Sequence, residues 1–276
     1  MQEPETPKPQ KPARRYTALI MAGRRSGPDT LAEATGAPHR ALLDVQGTPM
    51  LERVVGTLEA VPCIERILVS IDVPEVLEQF PGLARRIADG TLTVVQSASS
   101  PSLSVLEALE KTATDEAVLV TTADHALLTP AMVDHFLGEA EARTIDLAVA
   151  LVEETRIHAR FPESKRTYIP FRGERFSGAN LFVFLTHPAH RVAEFWVRAE
   201  QHRKQPWRLA RAFGLSTLAL FLLRRLDLEA AMQRASRVVG AQIRAVRMPF
   251  AEAAVDVDRL SDLELVNAIL ATRTSL

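Results

Sequence analysis

The chain has 276 residues, 47% of them apolar and 24% charged, with a formal net charge of −1 at pH 7. That length suits one large α/β domain, and the balanced charge argues against a general nucleic-acid binder, which would be basic. The single cysteine, Cys63, excludes an internal disulfide and a cysteine-rich metal site, reads as a small packing residue, and fits a cytoplasmic setting.

Residues 1–15 are polar, with Pro4, Pro7, Pro9 and Pro12 set among Glu, Lys and Gln, and read as a disordered tail. One domain is expected over 16–276. Tyr16 to Gly23 forms a first strand running into a glycine turn. Gly23 allows close backbone approach, and Arg24 and Arg25 add positive charge, an arrangement suited to phosphate. Neither a dinucleotide fingerprint nor a Walker A loop is present. Pro38-His39-Arg40 brings another cation, with His39 read as structural. Gly47-Thr48-Pro49 is a turn, and Met50, Leu51, Val54, Val55 and Leu58 follow at helical spacing.

Ile64–Ile71 is the second strand, Pro74–Phe80 starts a helix, and Leu92–Gln96 is the third strand. A serine-rich loop from Ser97 enters a helix at about Ser102, with Ser102 or Ser104 as N-cap and Leu103, Leu106 and Leu109 as its apolar stripe. The apolar run Val118–Val120 is a buried strand that ends at Asp124, and Thr129 caps a helix with Pro130 at its first position. A carboxylate at the carboxyl end of a central strand stands where open α/β sheets bind ligands. Beside a phosphate it calls for a divalent cation. A helix over Met132–Ala142 and a strand over Ile145–Val152 complete the alternation of a doubly wound sheet.

Residues 153–247 change character and are expected to form an acceptor-binding or lid insertion. Arg156, His158, Arg160, Lys165, Arg166, Arg172 and Arg175 crowd together among Phe161, Tyr168, Phe171 and Phe176. Such a patch suits an anionic acceptor, or else a solvated hairpin face. Ser177, Gly178 and Asn180 read as a turn into a strand ending at Phe184, and Ala193–Arg203 as a helix. Within 207–225, Trp207, Leu218 and Phe221 lie beside Arg208, Arg211, Arg224 and Arg225, as a buried lid helix or an interfacial helix at a membrane surface. Asp256 and Asp258, two apart on a strand, share a face, and Ser261 and Glu264 have capping-box spacing before a last helix.

Taken in order, Leu19-Ile-Met-Ala-Gly23, Pro38-His-Arg-Ala-Leu-Leu43 with Gly47-Thr-Pro-Met-Leu51, and Thr121-Thr-Ala-Asp-His125 resemble the molybdenum-cofactor guanylyltransferase-like NTP transferases, nucleotidyltransferases of the GT-A type. The resemblance spans about Tyr16 to Leu151 and resumes near Pro249. It implies a three-layer, Rossmann-like mixed sheet with an inserted acceptor subdomain. It also implies that Met21, Ala22, Gly23 and Arg24 wrap the phosphates of an NTP, that Arg40 touches them, and that Gln96 and Ser104 lie near the nucleoside. Asp124 would bind Mg²⁺ with Asp256 or Asp258 as a second ligand, and Lys165, Arg166, Ser177, Gly178 and Asn180 would hold a small phosphorylated acceptor. Two departures stand out: the loop arginines come early, and Arg40 replaces the usual lysine.

The implied activity is Mg²⁺-dependent transfer of NMP from an NTP to the acceptor with release of pyrophosphate, Arg24, Arg25 and Arg40 stabilising the leaving charge. A GT-A glycosyltransferase using a nucleotide sugar is the rival enzyme, although Asp124-His125-Ala126 lacks the Asp-x-Asp expected of it. A non-catalytic nucleotide-binding regulator is a third reading.

Overall fold

The computed structural model describes residues 14–23, 29–113, 116–142, 144–164, 166–202 and 213–274. Strand β1 (Tyr16–Met21) is apolar on both faces. Tyr16, Ala18 and Ile20 enter one core cluster while Leu19 enters another. A strand of that kind needs cover on both sides, and helices supply it. After α1 (Thr30–Thr35) come a small hairpin, β2 (Asp44–Val45) and β3 (Thr48–Pro49), and helix α2 (Met50–Glu59). Then follow β4 (Ile64–Ile71), α3 (Pro81–Ala88), β5 (Leu92–Gln96), α4 (Pro101–Lys111), β6 (Ala117–Thr122), α5 (Pro130–Glu141) and β7 (Leu147–Glu153). The second half holds α6 (Glu154–Arg160), β8 (Ile169–Pro170), β9 (Arg175–Phe184), α7 (His190–Gln201), α8 (Leu215–Leu222), α9 (Leu228–Val239), β10 (Ile243–Arg247) and α10 (Leu260–Thr274).

The main sheet runs β10-β7-β9-β6-β1-β4-β5, with β8 paired to β9. All of these pairings are parallel except those of β9, which is antiparallel to β6, β7 and β8. Residues of α2, α3 and α5 fill the core on one face, and residues of α4, α7 and α9 pack on the other. The result is the expected three-layer mixed α/β fold. The stretch 153–247, expected as an acceptor insertion, also supplies β9 and β10 to the sheet.

Several local expectations change. Pro74–Gln79 is a 3-10 turn, and the α-helix begins only at Pro81. The cap of α4 is Ser100, whose Oγ accepts from the Leu103 amide at 3.3 Å. Proline at 101 then takes the first helical position, where its missing N–H costs nothing. The buried stripe of α4 is accordingly Ser104, Val105, Ala108 and Leu109, leaving Leu103 and Leu106 half-buried. Ser177 and Gly178 lie inside β9 rather than in a turn, paired with Val152 and Leu151. The break comes two residues later, where Asn180 takes a φ of 48° at a register shift against β7. Asparagine tolerates that left-handed geometry better than most residues.

Cys63 is buried, and burial pushes its thiol up to about 11, as a packing residue requires. Among the described residues no helix is long and apolar enough to cross a membrane. In α8, Thr217 is buried and Phe221 meets Phe171 edge-on at 6.5 Å, while Leu222 and the following Leu223 stay 70% and 65% exposed. Trp207, Arg208 and Arg211 lie outside the described residues.

Candidate active site

β1 and β6 are adjacent and parallel, yet the chain leaves β1 toward β4 and returns to β6 on the other side. That reversal makes the crevice beyond their carboxyl ends a topological switch point. The two strand ends stay in register past the sheet, with the Ala123 amide on the Met21 carbonyl at 3.0 Å. Asp124 therefore faces the turn that leaves β1.

At that turn Gly23 passes close to the β5 end. A Cβ there would stand 3.1 Å from Ser97 Oγ, so any larger residue would have to push that serine aside. His39 is fully buried, its Nδ1 accepting from the Ala41 amide at 3.1 Å and its Nε2 on Asp72 at 3.0 Å. It thus sets the short turn from which Arg40 projects, and it also lines the cavity beside that turn. A cavity of about 240 Å³ is lined by Met21, Ala22, Gly23, Arg40 and Asp124, together with Asp29, Thr30 and Asp258. Arg24 and Arg25 lie outside the described residues. Gln96 and Ser104 are not brought to this cavity. Gln96 donates to the Asp72 carbonyl at 2.9 Å, and buried Ser104 accepts from the Ala98 amide at 2.8 Å.

The second acidic segment reaches the crevice from the far end of the chain. Val255 and Val257 are buried in a cluster with Leu127, Phe161, Val266 and Ile269, so Asp256 and Asp258 turn to the opposite side. No strand is formed, but the Val257 amide donates to the Asp124 carbonyl at 3.1 Å and ties the two segments together. Oxygens of Asp124, Asp256 and Asp258 lie within 4.8 Å of one another. The start of α10 is organised by Asp262, which accepts from the Asp258 and Arg259 amides at 3.2 and 2.9 Å. The expected pair, Ser261 and Glu264, does not make this cap.

The three carboxylates differ in what balances them. Arg40 bonds Asp258 at 2.5 Å and the Val257 carbonyl at 2.6 Å. Arg166 pairs with Asp256, which also accepts from Asn180 Nδ2 at 3.3 Å. For Asp124 the described hydrogen-bond donor is the Thr122 hydroxyl, at 2.5 Å. Burial pushes Asp124 up to about 6, against the pull of Thr122. Neighbouring Asp256 and Asp258 push the same way, with Arg40 opposing. His125 beside it is buried, and that burial alone lowers it to about 4, so it stays neutral at physiological pH.

A second, larger cavity of about 860 Å³ opens on the other side of the acids. Arg166, Ser177, Gly178 and Asn180 line it, and so do Asp256, Asp258, Arg259 and Asp262. Lys165 lies outside the described residues. Asp258 belongs to both cavities, which places the acidic cluster at their junction. Sequence reasoning missed Asp29 and Asp262, and the signal was available. Each stands within a turn of a helix start, where a carboxylate meets free amides.

A doubly wound sheet with a strand-end carboxylate and a second acidic segment meeting at its switch point fits a nucleotide-dependent transferase. The match to the MobA-like NTP transferase domain extends over residues 18–234, and the chain belongs to that family. It is a nucleotidyltransferase. A structure described as a hypothetical transferase from Thermus thermophilus is 31% identical, with a TM-score of 0.74, over 90% of this chain and 99% of that one. Two further structures share the fold. CMP:2-keto-3-deoxy-manno-octonic acid synthetase complexed with CTP is 17% identical with a TM-score of 0.58, covering 94% and 99%. A 4-diphosphocytidyl-2C-methyl-D-erythritol synthase from Anaerococcus prevotii is 13% identical with a TM-score of 0.57, again covering 94% and 99%. No curated protein matches the chain.

Proposed function

We propose that the protein transfers NMP from an NTP to a small phosphorylated acceptor and releases pyrophosphate. The observation that carries this reading is the placement of three carboxylates at the junction of two cavities. The smaller cavity, with Gly23 and Arg40, takes the NTP phosphates. The larger takes the acceptor against Ser177, Gly178 and Asn180. An acceptor phosphate oxygen forms a bond to the α-phosphorus, the bond to the β-phosphate oxygen breaks, and pyrophosphate departs with the electron pair. Arg40 stabilises that departing charge, and Arg24, Arg25 and Lys165 carry the charges the resemblance assigns to them.

The donor set suits Mg²⁺: three hard carboxylate oxygens close together, one of them, Asp124, with its own charge opposed by burial. Bound to Asp124, Asp256 and Asp258, Mg²⁺ would supply positive charge to the phosphates. The side chains contribute position and electrostatics, so no general base is required.

The test is pyrophosphate release with each of the four NTPs and a panel of phosphate monoesters, with and without Mg²⁺. Release that needs one NTP, one monoester and Mg²⁺ supports the proposal. Turnover of a nucleotide sugar with no pyrophosphate would replace it by the glycosyltransferase. Exposed Leu222 and Leu223 beside exposed Arg224 and Arg225 support a peripheral contact with an anionic lipid surface. Failure to float with anionic liposomes would remove that contact.

A further inference from the structure

The guanidinium of Arg166 is committed to protein groups before any substrate arrives. Its side chain is 8% exposed. One terminal nitrogen bonds Asp256 Oδ1. The other reaches the Asp256 carbonyl and Asp262 Oδ1, both at 3.3 Å, and Nε donates to Ser164 Oγ at 3.3 Å. Asp262 is itself held by the amides at the start of α10, so the arginine has one fixed anchor and one anchor inside the acidic cluster. A planar fork can span both carboxylates, which a single ammonium cannot.

An arginine and a metal ion on the same carboxylate compete, because both are positive and each draws on the negative charge that would hold the other. A phosphate monoester competes with a carboxylate for arginine through the same paired-oxygen geometry. Both exchanges meet at Arg166, which lines the acceptor cavity and holds Asp256 at the edge of the metal cluster. Arg40 stands in the mirrored position, lining the nucleotide cavity and holding Asp258.

We propose that Arg166 is a counter-ion latch: it occupies Asp256 in the free protein, and an anionic acceptor draws it away and frees that carboxylate for the cation. The proposal rests on the reading of the acidic cluster as a metal site. Acceptor and metal then bind with positive coupling, and linkage requires the coupling to be reciprocal. The cluster reaches full strength only with acceptor in place, which restrains attack by water on a bound NTP. Arg166 meets the acceptor anion directly and acts on the cation through Asp256.

The experiment is Mn²⁺ binding to the full-length, nucleotide-free protein, followed by electron paramagnetic resonance. Methyl phosphate, the simplest phosphate monoester, is the acceptor probe, and free Mn²⁺ is corrected for its complex with it. Wild type is expected to bind Mn²⁺ more tightly, on the order of tenfold, when methyl phosphate is added. Arg166→Gln is expected to bind Mn²⁺ tightly without methyl phosphate and to gain nothing from it. Arg166→Lys keeps the charge but not the two-carboxylate span, and serves where the glutamine variant folds poorly. It should fall between the other two proteins. Unchanged or weaker Mn²⁺ binding in the variants, or a wild type indifferent to methyl phosphate, overturns the latch. Mn²⁺ binding that is absent from wild type with methyl phosphate and from Arg166→Gln alike, or that Asp124→Ala leaves unchanged, overturns the metal reading beneath it.

Discussion

The nucleotide side and the acceptor side of the cluster balance charge in different ways. On the acceptor side Asp256 is gripped by Arg166 and Asn180, and at the boundary Asp258 is gripped by Arg40. At the end of β6, Asp124 has a neutral hydroxyl donor, and burial raises it to about 6. The difference shows where this protein stores its electrostatic tension. A strand-end carboxylate held by the sheet cannot move to find a partner, whereas a carboxylate on an irregular segment meets arginines from neighbouring loops.

The largest effect expected from this contrast is at Asp124. Asp124→Asn should lower pyrophosphate release by about a thousandfold, the scale of losing a principal charge-stabilising group. The same variant should be more stable than wild type in metal-free buffer at pH 8, by on the order of 3 kcal/mol, measured by urea unfolding. A destabilised variant would break the comparison.

The pH dependence follows in sign. The folded carboxyl is raised above its ordinary value of 3.8, so the folded state holds the proton more tightly. Its contribution is fully present below about 4 and is lost as pH rises through about 6. Metal-free wild type should therefore lose stability between about pH 4 and 6 by an amount that Asp124→Asn does not. Mn²⁺ binding should weaken as pH falls below 6.

Smaller effects sharpen the picture. Gly23→Ala places a Cβ against Ser97 Oγ and should weaken nucleotide binding about tenfold, with Ser97→Gly restoring it. On the acceptor side, Asn180→Val puts a β-branched residue at a φ of 48° and removes a donor to Asp256. Unfolding should become easier by about 1–3 kcal/mol, with Asn180→Gly recovering the backbone part. Thr122→Val removes the hydroxyl that lowers Asp124, so the carboxyl should titrate above 6 by NMR.

Much of this was legible along the chain, for reasons that differ by element. The strands Ile64–Ile71 and Leu92–Gln96 came out with the bounds expected, because each is a short run rich in β-branched residues set off by polar turn residues. Thr129 and Pro130 likewise stood where a cap and a first helical residue belong. The capping serine of α4 was misjudged by two residues or more because three serines offered the same chemistry, and Pro101 decided among them. The alternation of Val255 and Val257 with Asp256 and Asp258 foretold a shared acidic face even though no strand forms there.

By itself the sequence determined most of the sheet strands, the strand-end carboxylate and the acidic pair, since each rests on neighbouring residues and a two- or four-residue period. Tertiary structure alone decided that β9 runs antiparallel between β6 and β7, and that Val257 ties the last acidic segment to Asp124. It alone decided that Arg166 and Arg40 each take one of the aspartates. Those pairings join residues 90 and 218 positions apart, and no local pattern encodes a contact that forms only when the sheet closes around it.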